Sequence, residues 1–274
     1  MTQPQITDRT ALMRNRQRAQ HPALFLQEHA AAELQERLTE VNRTFTSMAI
    51  VTGFPGLWAE HFPNATLISD DETLDLQPQA HDVILHAMCL HWANDPVGQL
   101  VQSRHALKPD GLLLCTFLGG QTLHELRISL AEAEVAVTGG LSPRIAPMGE
   151  IRDLGGLLQR AGFALPVADN LPLTASYANA FHLMHDLRKM GENNALSDRI
   201  KHTTRRDILV KASQIYAENF RNSDNRVDAT FEMITLTGWA PSDTQQQPLR
   251  PGSARTRLAD ALGTTETPLI RSND

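Results

Sequence analysis

Two apolar runs within the stretch 81–120 constrain this chain more than any other feature. The first, 83–85, opens behind Asp82 and stops at a polar-aromatic cluster, Leu90, His91 and Trp92. A helix-length segment follows, 96–107. The turn Pro109, Asp110, Gly111 then launches the second run, 112–118. Neither run alternates apolar with polar residues. Strands of that kind bury both faces, as in a parallel sheet covered by helices. The stretch therefore reads as strand, helix, turn and strand within an α/β fold.

Composition narrows the field. The 274 residues suffice for one domain with insertions, or one domain and a smaller annex. At 41% hydrophobic residues, a sizeable core can form. A net charge of −6 and the lack of a long basic run argue against a nucleic-acid partner, because phosphate binding needs a dense positive patch. No apolar run reaches the roughly 18–20 residues of a membrane span. Residues 1–20 are polar, with Arg9, Arg14, Arg16 and Arg18, and do not read as a secretory signal. Cys89 and Cys115 fall in or beside apolar runs and read as reduced, buried thiols of a cytosolic protein.

Periodicity divides the remainder. Residues 14–20 are basic and expected at the surface. Residues 21–38 read as an amphipathic helix through Leu24, Phe25, Leu34 and Leu38, with Pro22 in its first turn. Short strands are expected at 48–53 and 65–69. Between them, Phe54, Pro55 and Gly56 turn the chain into about two helical turns. The second strand ends in Asp70, Asp71 and Glu72. After Gly119 and Gly120, residues 122–137 and 149–161 read as helices, the latter capped by Gly162. Alternation at 163–177 is strand-like but interrupted by prolines. Helical patterns at 179–190 and 207–220 read as an inserted cap, and 229–239 as a final strand. The expected division is an N-terminal helical arm (1–47), an α/β core (48–178 and 229–240), a helical insertion (179–228) and a polar, proline-rich C-terminal tail (241–274).

In this order the elements resemble a class I S-adenosylmethionine (SAM) methyltransferase. D-V-I-L at 82–85, L-H-W-A-N-D at 90–95 and L-K-P-D-G at 107–111 resemble its fourth and fifth strands. Four further segments are similar to one branch, the methyltransferase-type complex I assembly factor of mitochondria and its bacterial relatives. They are G-G-Q-T-L-H-E-L-R at 119–127, G-L-S-P-R-I-A-P at 140–147, D-L-G-G-L-L-Q-R-A-G-F at 153–163 and M-H-D-L-R-K-M-G at 184–191. L-K-P-D-G is common across the superfamily, whereas the first two of these four are much more specific. The resemblance covers about 71–262. It implies a seven-stranded, Rossmann-like, mostly parallel sheet with an antiparallel last strand, here 230–239, and SAM at the carboxyl ends of the first strands. It also implies action on the iron–sulfur arm of respiratory complex I, as an arginine hydroxylase rather than a methylase. A more distant relative is the enzyme that methylates malonyl-carrier protein in biotin synthesis.

The cofactor turn departs from that pattern. Class I enzymes carry D/E-x-G-x-G-x-G after the first strand, and residues 51–56 here read V-T-G-F-P-G. Ile50 or Val51 replaces the acidic residue, and Pro55 removes an N–H donor. Gly53 and Gly56 remain candidate cofactor contacts. Gly53 and Asp82 stand only 29 positions apart, whereas a single βαβ unit needs roughly 30 residues. The sheet is thus expected to be shortened between its first and fourth strands, by a strand, a helix and the usual ribose-binding carboxylate. The acidic cluster has two readings. The resemblance puts Asp71 and Glu72 after the third strand, facing adenine. If 65–69 instead lies beside the first strand, Asp70 takes the ribose role. Ala87, Met88 and Trp92 complete the cofactor candidates implied by the resemblance.

His91, past a strand's carboxyl end, is the candidate catalytic base or orienter; the alternative is packing at a helix start. His81, His86 and His91 are not at metal-ligand spacing, and His182, His185 and Asp186 read as a solvated helix face, so no metal site is expected. Glu125, Arg127 and Arg144 are candidates for substrate or partner contact, or for pairing across the insertion. Three functions follow. The first is a SAM-dependent methyltransferase-family protein acting on a protein, by resemblance a complex I subunit. The second is a methyltransferase-like binding protein with a degenerate SAM site. The third is a methyltransferase for a small carboxylate or acyl carrier. The expected location is cytoplasmic, with any inner-membrane association made through a partner.

Overall fold

The computed structural model describes residues 5–245 and 256–265. Helices α1 (Arg9–Arg16) and α2 (Phe25–Glu40) precede strand β1 (Met48–Thr52). Next come α3 (Pro55–His61), β2 (Thr66–Ser69), β3 (His81–Ala87), α4 (Pro96–Ala106) and β4 (Leu107–Gly119). Then follow α5 (His124–Thr138), α6 (Ile151–Arg160), β5 (Ala164–Tyr177), α7 (Ala180–Met190), α8 (Arg206–Asn219) and β6 (Val227–Trp239). All of these belong to one unit, Met1–Ser242; a second unit, Asp243–Asp274, carries α9 (Leu258–Leu262). Much of the expected tail, 246–255 and 266–274, lies outside the described residues.

The strands form one sheet in the order β2-β1-β3-β4-β6-β5. β2, β1, β3 and β4 run parallel, and β6 runs antiparallel to both its neighbours. The shortening falls where the spacing of Gly53 and Asp82 puts it. β2 pairs directly with β1, Val51 opposite Ile68, and forms the sheet edge.

Both faces of the sheet are apolar because both are covered. Ile50, Val83, Leu85, Leu112 and Leu114 pack with α2, α3, α5, α7 and α8. Ala49, Val51, Ile84, Leu113 and Cys115 pack with α4 and α6. Neighbouring residues point to opposite faces, so both layers must be hydrophobic and no alternation survives. Each buried Val, Leu or Ile among them stabilises the fold by about 2 kcal/mol.

Several local expectations need correction. The segment 21–38 is not one helix. A 3-10 turn, His21–Ala23, holds Pro22, and α2 starts at Phe25. The prolines at 163–177 do not break the strand, because β5 is an edge strand that needs ladder N–H groups on one side only. Pro166 falls in the register shift between Ala164 and Val167. Residues 14–20 are not uniformly exposed, since the Arg16 side chain is only 7% accessible. The glycines are used as read: Gly162, at φ +81°, follows α6, and Gly120, at φ +53°, turns the chain from β4 towards α5.

Candidate functional site

The carboxyl ends of β1, β2 and β3 meet at one edge of the sheet, and two adjoining clefts open there. The first lies over β1 and β2. Thr52 ends β1, and its hydroxyl accepts a hydrogen bond from the Phe54 amide at 3.1 Å. β2 sits beside β1, and Asp70 follows it directly, which is the strand arrangement that the second of the two sequence readings supposes. The Asp70 oxygens are already engaged. Arg16 Nη1 lies 2.9 and 2.8 Å from them, and Arg9 donates to both at 3.1 and 3.3 Å. Burial pushes the Asp70 carboxyl up, but the Arg16 charge and the Arg9 contacts outweigh it and hold the group below the ordinary carboxylate range. Arg9 also reaches Asp71, at 3.4 Å.

Gly53 is pressed against the same guanidinium. A Cβ at that position would stand 2.3 Å from Arg16 Cζ. Arg16 further lies 5.7 Å from the centroid of the Phe54 ring. A groove of about 410 Å³ remains beside these side chains, with Arg9, Arg16 and Asp70 among its walls. Gly56 has open space where its Cβ would be and takes no part in the close packing. Glu72 accepts from Asn94 Nδ2 at 3.1 Å. Ala87 is buried at the end of β3, and Met88 follows at φ +51°, an unusual conformation for a long side chain and a form of strain that clusters at ligand sites. As arranged, this cleft does not fit SAM. Both Asp70 oxygens are engaged, the Arg16 side chain covers Gly53, and Pro55 offers no amide.

The second cleft is a cavity of about 600 Å³. Leu118, Leu123 and Leu126 line it from β4 and the start of α5, and Phe181 and Met184 from α7. His91, Trp92 and Glu192 are among its polar lining, with Arg144, Arg188 and Arg199. Trp92 Nε1 donates to Glu192 Oε2 at 2.8 Å, and His91 Nε2 lies 3.4 Å from the same oxygen. Burial raises the Glu192 carboxyl, yet His91, Arg16 and Trp92 together hold it below its ordinary range, so it is ionised. The Nδ1 atom of His91 is buried without a partner.

Arg144 lines this cavity, gripped by Glu134 at 2.8 and 2.9 Å and by Thr204 at 3.0 Å. Hydrogen bonds from Arg144, reinforced by Ser142, depress the Glu134 carboxyl to about 2. Glu125 and Arg127 are not brought to the cavity. Glu125 is buried and accepts from the Thr230 amide at 3.1 Å, tying α5 to β6; Arg127 is exposed and reaches the Thr122 carbonyl at 3.4 Å. His182 bonds Asn179, the cap of α7, while Asp186 accepts from Tyr177. Among the described residues, no group of three His, Cys, Asp or Glu is placed to hold a metal ion.

Sequence reasoning missed Arg9, Arg16, Glu192 and Gln99. Gln99 donates to the Asp70 and Asp71 carbonyls and accepts from buried His86, so it fixes the end of β2. No local signal marks these residues, because each works through a partner far away in sequence. Both cysteines are free and buried, and burial pushes both thiols up.

No family model matches the chain. It is 36% identical over 233 residues to "Arginine-hydroxylase NDUFAF5, mitochondrial" of Danio rerio, covering 85% of this chain and 70% of that one. The protein of the same name from Dictyostelium discoideum is 39% identical over 206 residues, 75% of this chain and 47% of its own length. The chain thus spans about half of the Dictyostelium relative and about 70% of the Danio one. "Malonyl-[acyl-carrier protein] O-methyltransferase" of Xylella fastidiosa is 35% identical over 180 residues, 66% of this chain and 59% of that one. Among solved structures, YcgJ protein from Bacillus subtilis aligns with a TM-score of 0.49 at 12% identity, covering 78% of this chain and 99% of that one.

Proposed function

This chain belongs to the family of the mitochondrial arginine-hydroxylase NDUFAF5, and on that premise we propose that it is a methyltransferase-like protein that acts on, or helps assemble, a protein partner in respiratory complex I. The observation that carries the reading is the cavity of about 600 Å³ between α5 and α7, with its ionised Glu192. Its apolar walls suit the methylenes of a long side chain, and Glu192 suits a cationic head. Such a side chain reaches the cavity from a docked protein. His91 and Trp92 hold the Glu192 carboxylate in place, so the three act as one positioning unit.

SAM, the cofactor implied by the resemblance, has no place in this reading, since the cleft over β1 and β2 does not fit it. The proposed membrane relation is peripheral and made through the partner. Among the described residues, no helix is long and apolar enough to cross a membrane.

Gene deletion tests the proposal, with assembled complex I scored on native gels. Assembly should fall several-fold, return with the wild-type chain, and return poorly with Glu192→Gln when circular dichroism shows that variant folded. Normal assembly in the deletion strain removes the reading.

A further inference from the structure

We infer that Arg16 and Arg9 of α1 stand in for the cofactor, so that the chain folds with the Gly53 and Asp70 positions of its methyl-donor cleft already occupied and takes up no SAM. The inference uses family membership to identify the cleft. It does not depend on the complex I reading.

Three observations converge. The first is position. The guanidinium of Arg16 occupies the space against Gly53 that a glycine turn keeps free for close approach of a cofactor. The second is saturation. A carboxylate offers about four lone-pair sites, and Arg9 and Arg16 together make four contacts of 2.8–3.3 Å with the Asp70 oxygens. Nothing is left for ribose hydroxyls. The third is charge. SAM carries a sulfonium cation, and the guanidinium places a permanent cation against Asp70, a charge that also acts on Glu192. The electrostatic demand of a cofactor site is therefore met from within the chain.

α1 is not a loosely laid arm. Asp8 caps it through the Ala11 amide at 3.0 Å and pairs with Arg199 at 2.9 Å. The Asp8 amide donates to the Ala195 carbonyl at 2.8 Å, and Asn15 Nδ2 donates to the Asn193 carbonyl at 3.2 Å. Beyond its end, the Gln20 amide donates to the Lys189 carbonyl at 2.8 Å. The helix is fastened at both ends to the segment after α7, the segment that also carries Glu192. Withdrawing α1 as a whole would break these bonds and take both Arg9 and Arg16 away from Asp70. Arg16 Nε and Nη2 stay buried without partners, so the guanidinium is held by one edge only.

Calorimetry of the purified full chain with SAM, and separately with S-adenosylhomocysteine, decides the matter. No saturable binding is expected up to about 1 mM; saturable binding of either compound below that concentration overturns the inference. A second arm reads the occupant directly. Arg16→Ala removes an ethylguanidinium-shaped fragment beside Asp70. Millimolar ethylguanidinium should raise the Tm of Arg16→Ala by several degrees, but not that of the wild type or of Arg16→Ala with Asp70→Ala. A folded Arg16→Ala that ethylguanidinium leaves unchanged also overturns the inference. Should Arg16→Ala fail to fold, the calorimetry of the wild type still decides. A failure of the complex I reading would show in the deletion strain and leave these binding results untouched.

Discussion

His86 has no exposure to water, and burial pushes its ring down to about 4. Gln99 Oε1, whose own amide donates elsewhere, accepts from Nε2, and Cys89 Sγ lies 3.4 Å from Nδ1. The unfolded chain binds a proton near pH 6.5 and the folded one only near 4. His86 therefore contributes stability that is fully present above 6.5 and is lost as pH falls towards 4, about 3 kcal/mol in all. His81, also lowered by burial, adds to the same window. Urea unfolding at pH 7 and pH 4.5 should show most of this loss, and His86→Gln should flatten it. An undiminished slope in that variant would assign the loss elsewhere. At this scale the sequence offered Asp70 as a strand-end carboxylate, and its ionisation follows. It did not offer Arg16, which lies 54 positions away and reads locally as one more surface arginine. A pair is a property of two places, and a sequence window sees one.

Secondary elements were more legible. The unit from β3 to β4 could be read because burial on both faces leaves a direct mark on residue type. β5 was half read, since a proline run says nothing about whether its strand is central or on an edge. The turn after β4 was read from Gly119 and Gly120, and the structure gives a reason at Gly120. With φ +53°, a side chain there is strained, and its Cβ would meet Glu232 Oε2 at 1.8 Å. Gly120→Ala should lower the unfolding free energy by about 1–2 kcal/mol. Gly56→Ala, in α3 with open space around it, should be neutral or slightly stabilising. Denaturant melts of the two variants test the contrast, and equal effects would show that the Gly120 conformation is not what matters.

At the scale of the molecule, the sheet edges differ. β2 is four residues long, has one neighbour and is partly exposed, whereas β3 and β4 lie inside the sheet under helices on both faces. Hydrogen exchange should find the amides of β3 and β4 slowest, with β2 faster by about 100-fold or more. A β2 as slow as β4 would mean that the α1 contacts at Asp70 bind the edge into the global unfolding unit. By itself, the sequence determined the α/β class, the parallel core, the shortening between Gly53 and Asp82 and the weakness of the glycine turn. Each of these is written in local pattern: apolar periodicity, turn chemistry and the number of residues available to make a strand. Only the tertiary structure decided that Asp70 follows the strand beside β1, that Arg9 and Arg16 of α1 pack against it, and that Glu192 joins His91 and Trp92 at the neighbouring cavity. Those outcomes depend on which segments meet across tens to about a hundred residues. Burial and charge fix such meetings between places that no short stretch of sequence contains together.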